Sequence, residues 1–107
     1  MAFDALEVAI QLCTSLRAPL EKLRKHDPDL ADQARRAANG VALQLSEARR
    51  RIGKDQLNRY RMAAGSADEL QTALRLAQAW GYLDATILAE CLALLDRELA
   101  MCWKLTR

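Results

Sequence analysis

Histidine occurs once in this chain, at His26, and that scarcity excludes a good deal of chemistry. A zinc or di-iron site draws on clustered His, Cys or Glu ligands, and no Glu-x-x-His pair is present. The three cysteines, Cys13, Cys91 and Cys102, are odd in number and show no C-x-x-C spacing. Each falls on an apolar helical stripe, the setting of a buried free thiol. No metal and no cofactor is therefore expected. Nor can a nucleophile, a base and an orienting group be assembled from one imidazole and scattered carboxylates, so an enzyme with a small-molecule substrate is not expected. Glycine and proline number only 4 and 2, aromatics are 5%, and no alternating β-branched run occurs, which argues against strands. No apolar run approaches the roughly 18 residues that cross a bilayer. The N-terminal Met1-Ala2-Phe3-Asp4 lacks the basic and apolar regions of a signal peptide, and the expectation is a cytoplasmic, soluble protein.

What the chain has instead is aliphatic residues, chiefly Ala and Leu, within a hydrophobic fraction of 51%. Its 107 residues suit one domain, 1–107. Periodicity and punctuation place four helices. The first runs from about Asp4 to about Lys25, with Leu6, Ile10, Cys13, Leu16, Leu20 and Leu23 on one face and a kink expected near Ser15 to Pro19. Asp27 then Pro28 supply an N-cap and a first-turn proline for the second, which is expected to reach Ile52 and stop at Gly53. Its inward face reads Leu30, Ala34, Ala37, Ala38, Val41, Leu45 and Ala48. The third spans about Asp55 to Trp80, stops at Gly81, and turns Ala63, Ser66, Ala67, Leu70, Leu74 and Ala77 inward. Asp84 caps the fourth, which runs to the C-terminus. Short connections between long helices give an all-α, up-down-up-down antiparallel four-helix bundle.

Apolar surface exceeds what one core needs. On the fourth helix, apolar residues between Ile87 and Leu105 sweep an arc of roughly 200°, where a core stripe needs little more than about 100°. The third carries a side stripe of Met62, Ala73, Leu76 and Trp80, and the second places Leu43 on its outer side. Leu43, Met62, Leu76, Trp80, Leu94 and Met101 are assigned to contacts between copies of the chain. The competing reading is a monomer with a generous core.

Charge is uneven as well. From Arg35 to Arg61 there are eight basic residues and two acidic ones, a local +6 in a chain of net +2. Arg49, Arg50, Arg51, Lys54, Arg59 and Arg61 gather around the turn between the second and third helices. One reading is a phosphate-binding rim, because guanidinium groups fork onto phosphate oxygens and release counterions. The other is that the arginine triplet complements the negative C-terminal end of the second helix.

The segment Gln33-Ala34-Arg35-Arg36-Ala37-Ala38-Asn39-Gly40-Val41-Ala42-Leu43-Gln44-Leu45-Ser46-Glu47-Ala48, followed by Arg51, resembles a signature of the four-helix-bundle proteins encoded in intervening sequences of bacterial large-subunit ribosomal RNA genes. Ala63-Ala64-Gly65-Ser66-Ala67-Asp68-Glu69-Leu70 and Leu76-Ala77-Gln78-Ala79-Trp80-Gly81-Tyr82-Leu83 are similar to two further blocks of that family. Gly40, Gln44 and Ala48 depart from its pattern, where Ser, Asn and Gly stand, and Gln56 and Arg59 replace aromatics found in many members. The resemblance implies a homopentameric ring with a basic surface and a nucleic-acid role. It also brings in the accessory protein of diversity-generating retroelements, whose partners are a reverse transcriptase and its template RNA.

Arg36 and Glu47 lie on one outward line of the second helix with Leu43 between them. Glu47 has two uses open to it: pairing with Arg50 or Arg51 on its own helix, or reaching with Arg36 across a subunit boundary, as the resemblance favours. Two functions follow. The first is an oligomeric adaptor that holds structured RNA or a ribonucleoprotein on the basic rim. The second is a protein-interaction scaffold that binds no nucleic acid.

Overall fold

A computed structural model describes residues 2–107, with side chains from Asp4 onward. Its elements are α1 (Ala2–His26), α2 (Pro28–Ala48), α3 (Gly53–Ala79) and α4 (Ala85–Leu105). Among the described residues there is no strand, and no helix is long and apolar enough to cross a membrane. Each helix packs on its neighbours in the order α1–α2–α3–α4–α1, forming an antiparallel bundle 42 Å long. The α1–α2 and α3–α4 turns therefore share one end, where His26 and Tyr82 stack with centroids 5.1 Å apart. The α2–α3 turn occupies the other end, toward which α4 also returns.

The sequence sets the helix ends through local hydrogen bonding. Asp27 and Asp84 accept from the backbone N–H of Leu30 and Ile87, at 3.0 and 2.9 Å, satisfying donors that a helix start leaves free. At the end of α3 the Tyr82 N–H bonds the Ala77 carbonyl and the Gly81 N–H bonds that of Gln78, both at 2.9 Å. This closure needs a left-handed residue after the cap, and Gly81 supplies it at φ 77°. Gly53 behaves differently from expectation. It does not stop α2, which already ends at Ala48; it opens α3 at φ 60°. Arg49 and Arg50 form a turn instead, so α2 is about one turn shorter than its apolar pattern suggests. Asp4, from which α1 was expected to run, lies within the first turn of a helix that begins at Ala2, and α1 continues unbroken through the buried Pro19.

The inward faces of α2 and α3 are those the periodicity requires, apart from Ser66, which is half-buried. On α1 Leu16 and Leu23 of the expected face are buried and Leu6, Cys13 and Leu20 pack on the core, but the line is rotated in the first half of the helix. Ala5, Val8, Ala9 and Leu12 are buried while Ile10 is exposed, because small side chains allow close helix approach and bulk alone does not choose the inner face. Ala73, assigned to the side stripe, is buried too.

The α2–α3 seam is the tightest contact. A Cβ placed on Gly40 would lie 2.7 Å from Ser66 Oγ and 3.2 Å from Ser66 Cβ, inside van der Waals contact. Gly40→Val is expected to cost about 1–3 kcal/mol by overpacking. Adding Ser66→Gly should recover most of that loss in a double-mutant cycle followed by thermal unfolding. A double variant no more stable than Gly40→Val alone would place the strain elsewhere.

Candidate nucleic-acid interface

The α2–α3 turn brings the basic cluster to one end of the bundle and sorts its members by partner. Arg51 bridges two carboxylates one helical turn away on either side: one guanidinium nitrogen bonds Glu47 and the other bonds Asp55 Oδ2 at 2.9 Å. The bond from Arg51, and then its charge, hold the Glu47 carboxyl below the usual range, and the two acids in turn raise the Arg51 pKa. Of the two uses open to Glu47, this chain by itself adopts the local pair. Arg59 is drawn inward, donating Nη1 to Gln44 Oε1 at 3.2 Å and joining α3 to α2. Its Nε is buried without an acceptor.

The remaining cations are different. Arg49, Arg50, Lys54 and Arg61 are exposed, and among the described residues no ion pair reaches them. Both acids of the turn, Glu47 and Asp55, are already engaged by Arg51, so the turn itself carries a surplus of positive charge. Lys104 in the last turn of α4 and Arg107 just beyond it come back to the same half of the bundle, where the Arg107 guanidinium lies 5.4 Å from the centroid of the exposed Trp103 ring. Sequence order alone hid that contribution, since those residues are more than forty positions from the turn.

The turn itself is braced. Gln56 Nε2 donates to the Ala48 carbonyl at 3.1 Å, and the N–H groups of Arg50 and Arg51 bond the Glu47 and Ala48 carbonyls. Ile52 is at its tip and is 86% exposed.

The residues assigned to contacts between copies fall into two groups. Arg36, Leu43, Met62, Leu76 and Trp80 are exposed on α2 and α3, with Leu43 and Trp80 at 67% and 68%. Glu47 is half-buried, as are Leu94 and Met101, which lean against the core from α4. Between α1 and α2 a groove of 410 Å³ has Leu16 and Leu20 in its floor and Arg17, Arg24 and Arg35 on its walls. Arg24 is bonded there to Asp32 at 2.7 Å.

One polar residue sits where none was expected. Glu98 on α4 is fully buried, and neither carboxylate oxygen has a hydrogen-bond partner. Burial pushes its pKa up to about 7, against a small opposing influence from Arg97. It also contributes to raising the thiols of Cys13 and Cys102, whose own burial is the main cause; Cys102 is pushed up to about 12. All three cysteines are free thiols, Cys91 and Cys102 buried and Cys13 half-buried. The signal for Glu98 was present in the spacing: Leu88, Cys91, Leu95, Glu98 and Cys102 follow alternating steps of three and four residues, the inner line of a bundle helix.

Comparison with known proteins gives one match. A family model described as 23S rRNA-intervening sequence protein covers residues 2–104. No curated protein and no solved structure matches the chain.

Proposed function

This chain belongs to the 23S rRNA-intervening sequence protein family, and we propose that it serves as a non-enzymatic, oligomeric adaptor that holds structured RNA or a ribonucleoprotein. The observation that carries the reading is the group of exposed, unpaired cations at one end of the bundle, Arg49, Arg50, Lys54 and Arg61, beside acids already neutralised by Arg51. A surface of this kind attracts phosphate without demanding a base sequence. Copies joined through Arg36, Leu43, Met62, Leu76 and Trp80 would align these ends on one rim and add their fields. The family resemblance implies five copies and brings in a reverse transcriptase as one candidate partner; the cytoplasmic setting is the expectation drawn from the sequence.

The test is a fluorescence-anisotropy titration of the nuclease-treated protein with a structured RNA hairpin between about 50 and 200 mM salt. Affinity is expected to fall by at least an order of magnitude across that range. Absence of binding at the lowest salt would overturn the proposal and favour the protein-interaction scaffold. That second reading draws on the exposure of Leu43 and Trp80, and partner capture unaffected by nuclease would support it.

A further inference from the structure

Ile52 breaks the local rules that the rest of the chain follows. It occupies the position before the first turn of α3, where α2 and α4 have Asp27 and Asp84 with side-chain caps. A branched apolar side chain is among the least favourable at such a position, and Ile52 makes no capping bond. Nor does it pack on the core: among the described residues it is the most exposed large hydrophobic one, at 86%. Its backbone is extended, at φ −133° and ψ 160°, and is followed by the left-handed Gly53. The turn cannot easily fold this side chain inward. The Glu47–Arg51–Asp55 bridge spans it from both sides, and Gln56 ties α3 to the end of α2. An apolar side chain is thus held outward on a braced tip, with Arg49, Arg50 and Lys54 around it. A local sequence choice that destabilises the folded chain without an internal gain points to a use outside the chain.

We propose that Ile52 is a wedge that contacts an unstacked base of bound RNA, while the surrounding cations hold the flanking phosphates. The inference rests on the RNA-binding reading above and specifies the class of RNA: a strand with an unpaired base, at a bulge or loop, in preference to a continuous duplex. Charge complementarity selects this occupant. Three unpaired cations flanking one apolar group match a polyanion whose only apolar faces are its bases. Apolar side chains set among basic ones insert between base steps in this manner in other nucleic-acid complexes. A base in a fully paired A-form helix offers no such face, because stacking covers it.

The experiment compares the parent chain with Ile52→Ser on two RNA hairpins of equal length whose loops are replaced by a non-nucleotide linker, one stem continuous and one with a single-nucleotide bulge carrying 2-aminopurine. Serine preserves the charge of the tip and supplies the missing cap, so the variant should unfold at a slightly higher temperature than the parent. On the bulged hairpin its affinity should drop by about tenfold, the worth of one buried aliphatic side chain. On the continuous hairpin affinity should not change, and the salt dependence should be equal for both proteins. The parent should also alter the 2-aminopurine fluorescence, and the variant should not. A more stable protein that binds more weakly cannot be explained by misfolding. Equal affinity of parent and variant for the bulged RNA would overturn the wedge and leave the adaptor reading intact. Failure of the parent to bind either hairpin would overturn both.

Discussion

The stability gained by Glu98→Met is expected to grow by about 3 kcal/mol as pH is raised from 4.5 to above 7, the two limits being the ordinary pKa of the carboxyl and its value in the fold. The cause is that the folded state binds the Glu98 proton more tightly than the unfolded chain. Below the unfolded value both states are protonated, and the side chain contributes no charge penalty. As pH rises, the unfolded chain loses its proton first, which draws the equilibrium toward unfolding. The loss is complete once pH passes the folded value near 7. Methionine fills a similar volume without an ionisable group, so the variant escapes this penalty and the burial of an unpartnered carboxyl.

The effect is large against the total of about 5–15 kcal/mol typical of a folded domain. It is measured by urea unfolding of the two proteins at matched concentration over that pH range, since association adds to apparent stability. The Glu47–Arg51 pair works in the opposite sense, losing its contribution as pH falls, but it is common to both proteins and cancels in the difference. A difference that stays flat with pH would mean that Glu98 meets a cation or strong donors in the assembled protein.

The second large effect is expected from changing Arg49, Arg50 and Lys54 together to alanine. Each phosphate contact contributes roughly 0.7–0.9 to the slope of log affinity against log salt, so the slope should fall by about 2–3. Affinity for structured RNA at about 50 mM salt should weaken by roughly 10–100-fold. Lys54 belongs in this set and Arg51 does not, because Arg51 already spends its donors on Glu47 and Asp55. Lys25 and Arg75, exposed toward the opposite end, serve as the control, and changing both to alanine should leave the slope unaltered. An unchanged slope in the triple variant would remove the α2–α3 turn from consideration as a phosphate surface. Losses in proportion to the charges removed, three in the triple variant and two in the control, would instead mean that net charge alone is being read.

Much of the architecture was legible because it depends on local rules. The inner face of α2 from Leu30 to Ala48, the Asp27 and Asp84 caps and the Gly81 stop follow from a 3.6-residue period and from backbone groups that must be satisfied nearby. The errors lie where a local rule has two solutions. A glycine in the left-handed region ends a helix or reverses the chain into the next, and Gly53 does the latter. On α1, a stripe drawn through the bulky Ile10 competes with one through Ala5 and Ala9, and only the neighbouring helices choose between them.

The candidate site was legible as composition but not as chemistry. The run of basic residues is plain in the sequence, yet which cations remain free depends on side chains meeting in three dimensions. Arg51 and Arg59 are engaged through bonds to Asp55 and Gln44, on neighbouring elements. Ile52 reads as the last residue of an apolar helix until the turn shows it at the tip. Glu98 follows the inner spacing of α4 in the sequence, but only the fold shows that it is fully buried with neither carboxylate oxygen hydrogen-bonded. The amino-acid sequence by itself determined four helices and their order around the bundle, since periodicity, caps and short turns act within a few residues. The tertiary structure alone decided which charges are spent, which are free and which is buried, because those outcomes depend on distances between residues that the chain order does not relate.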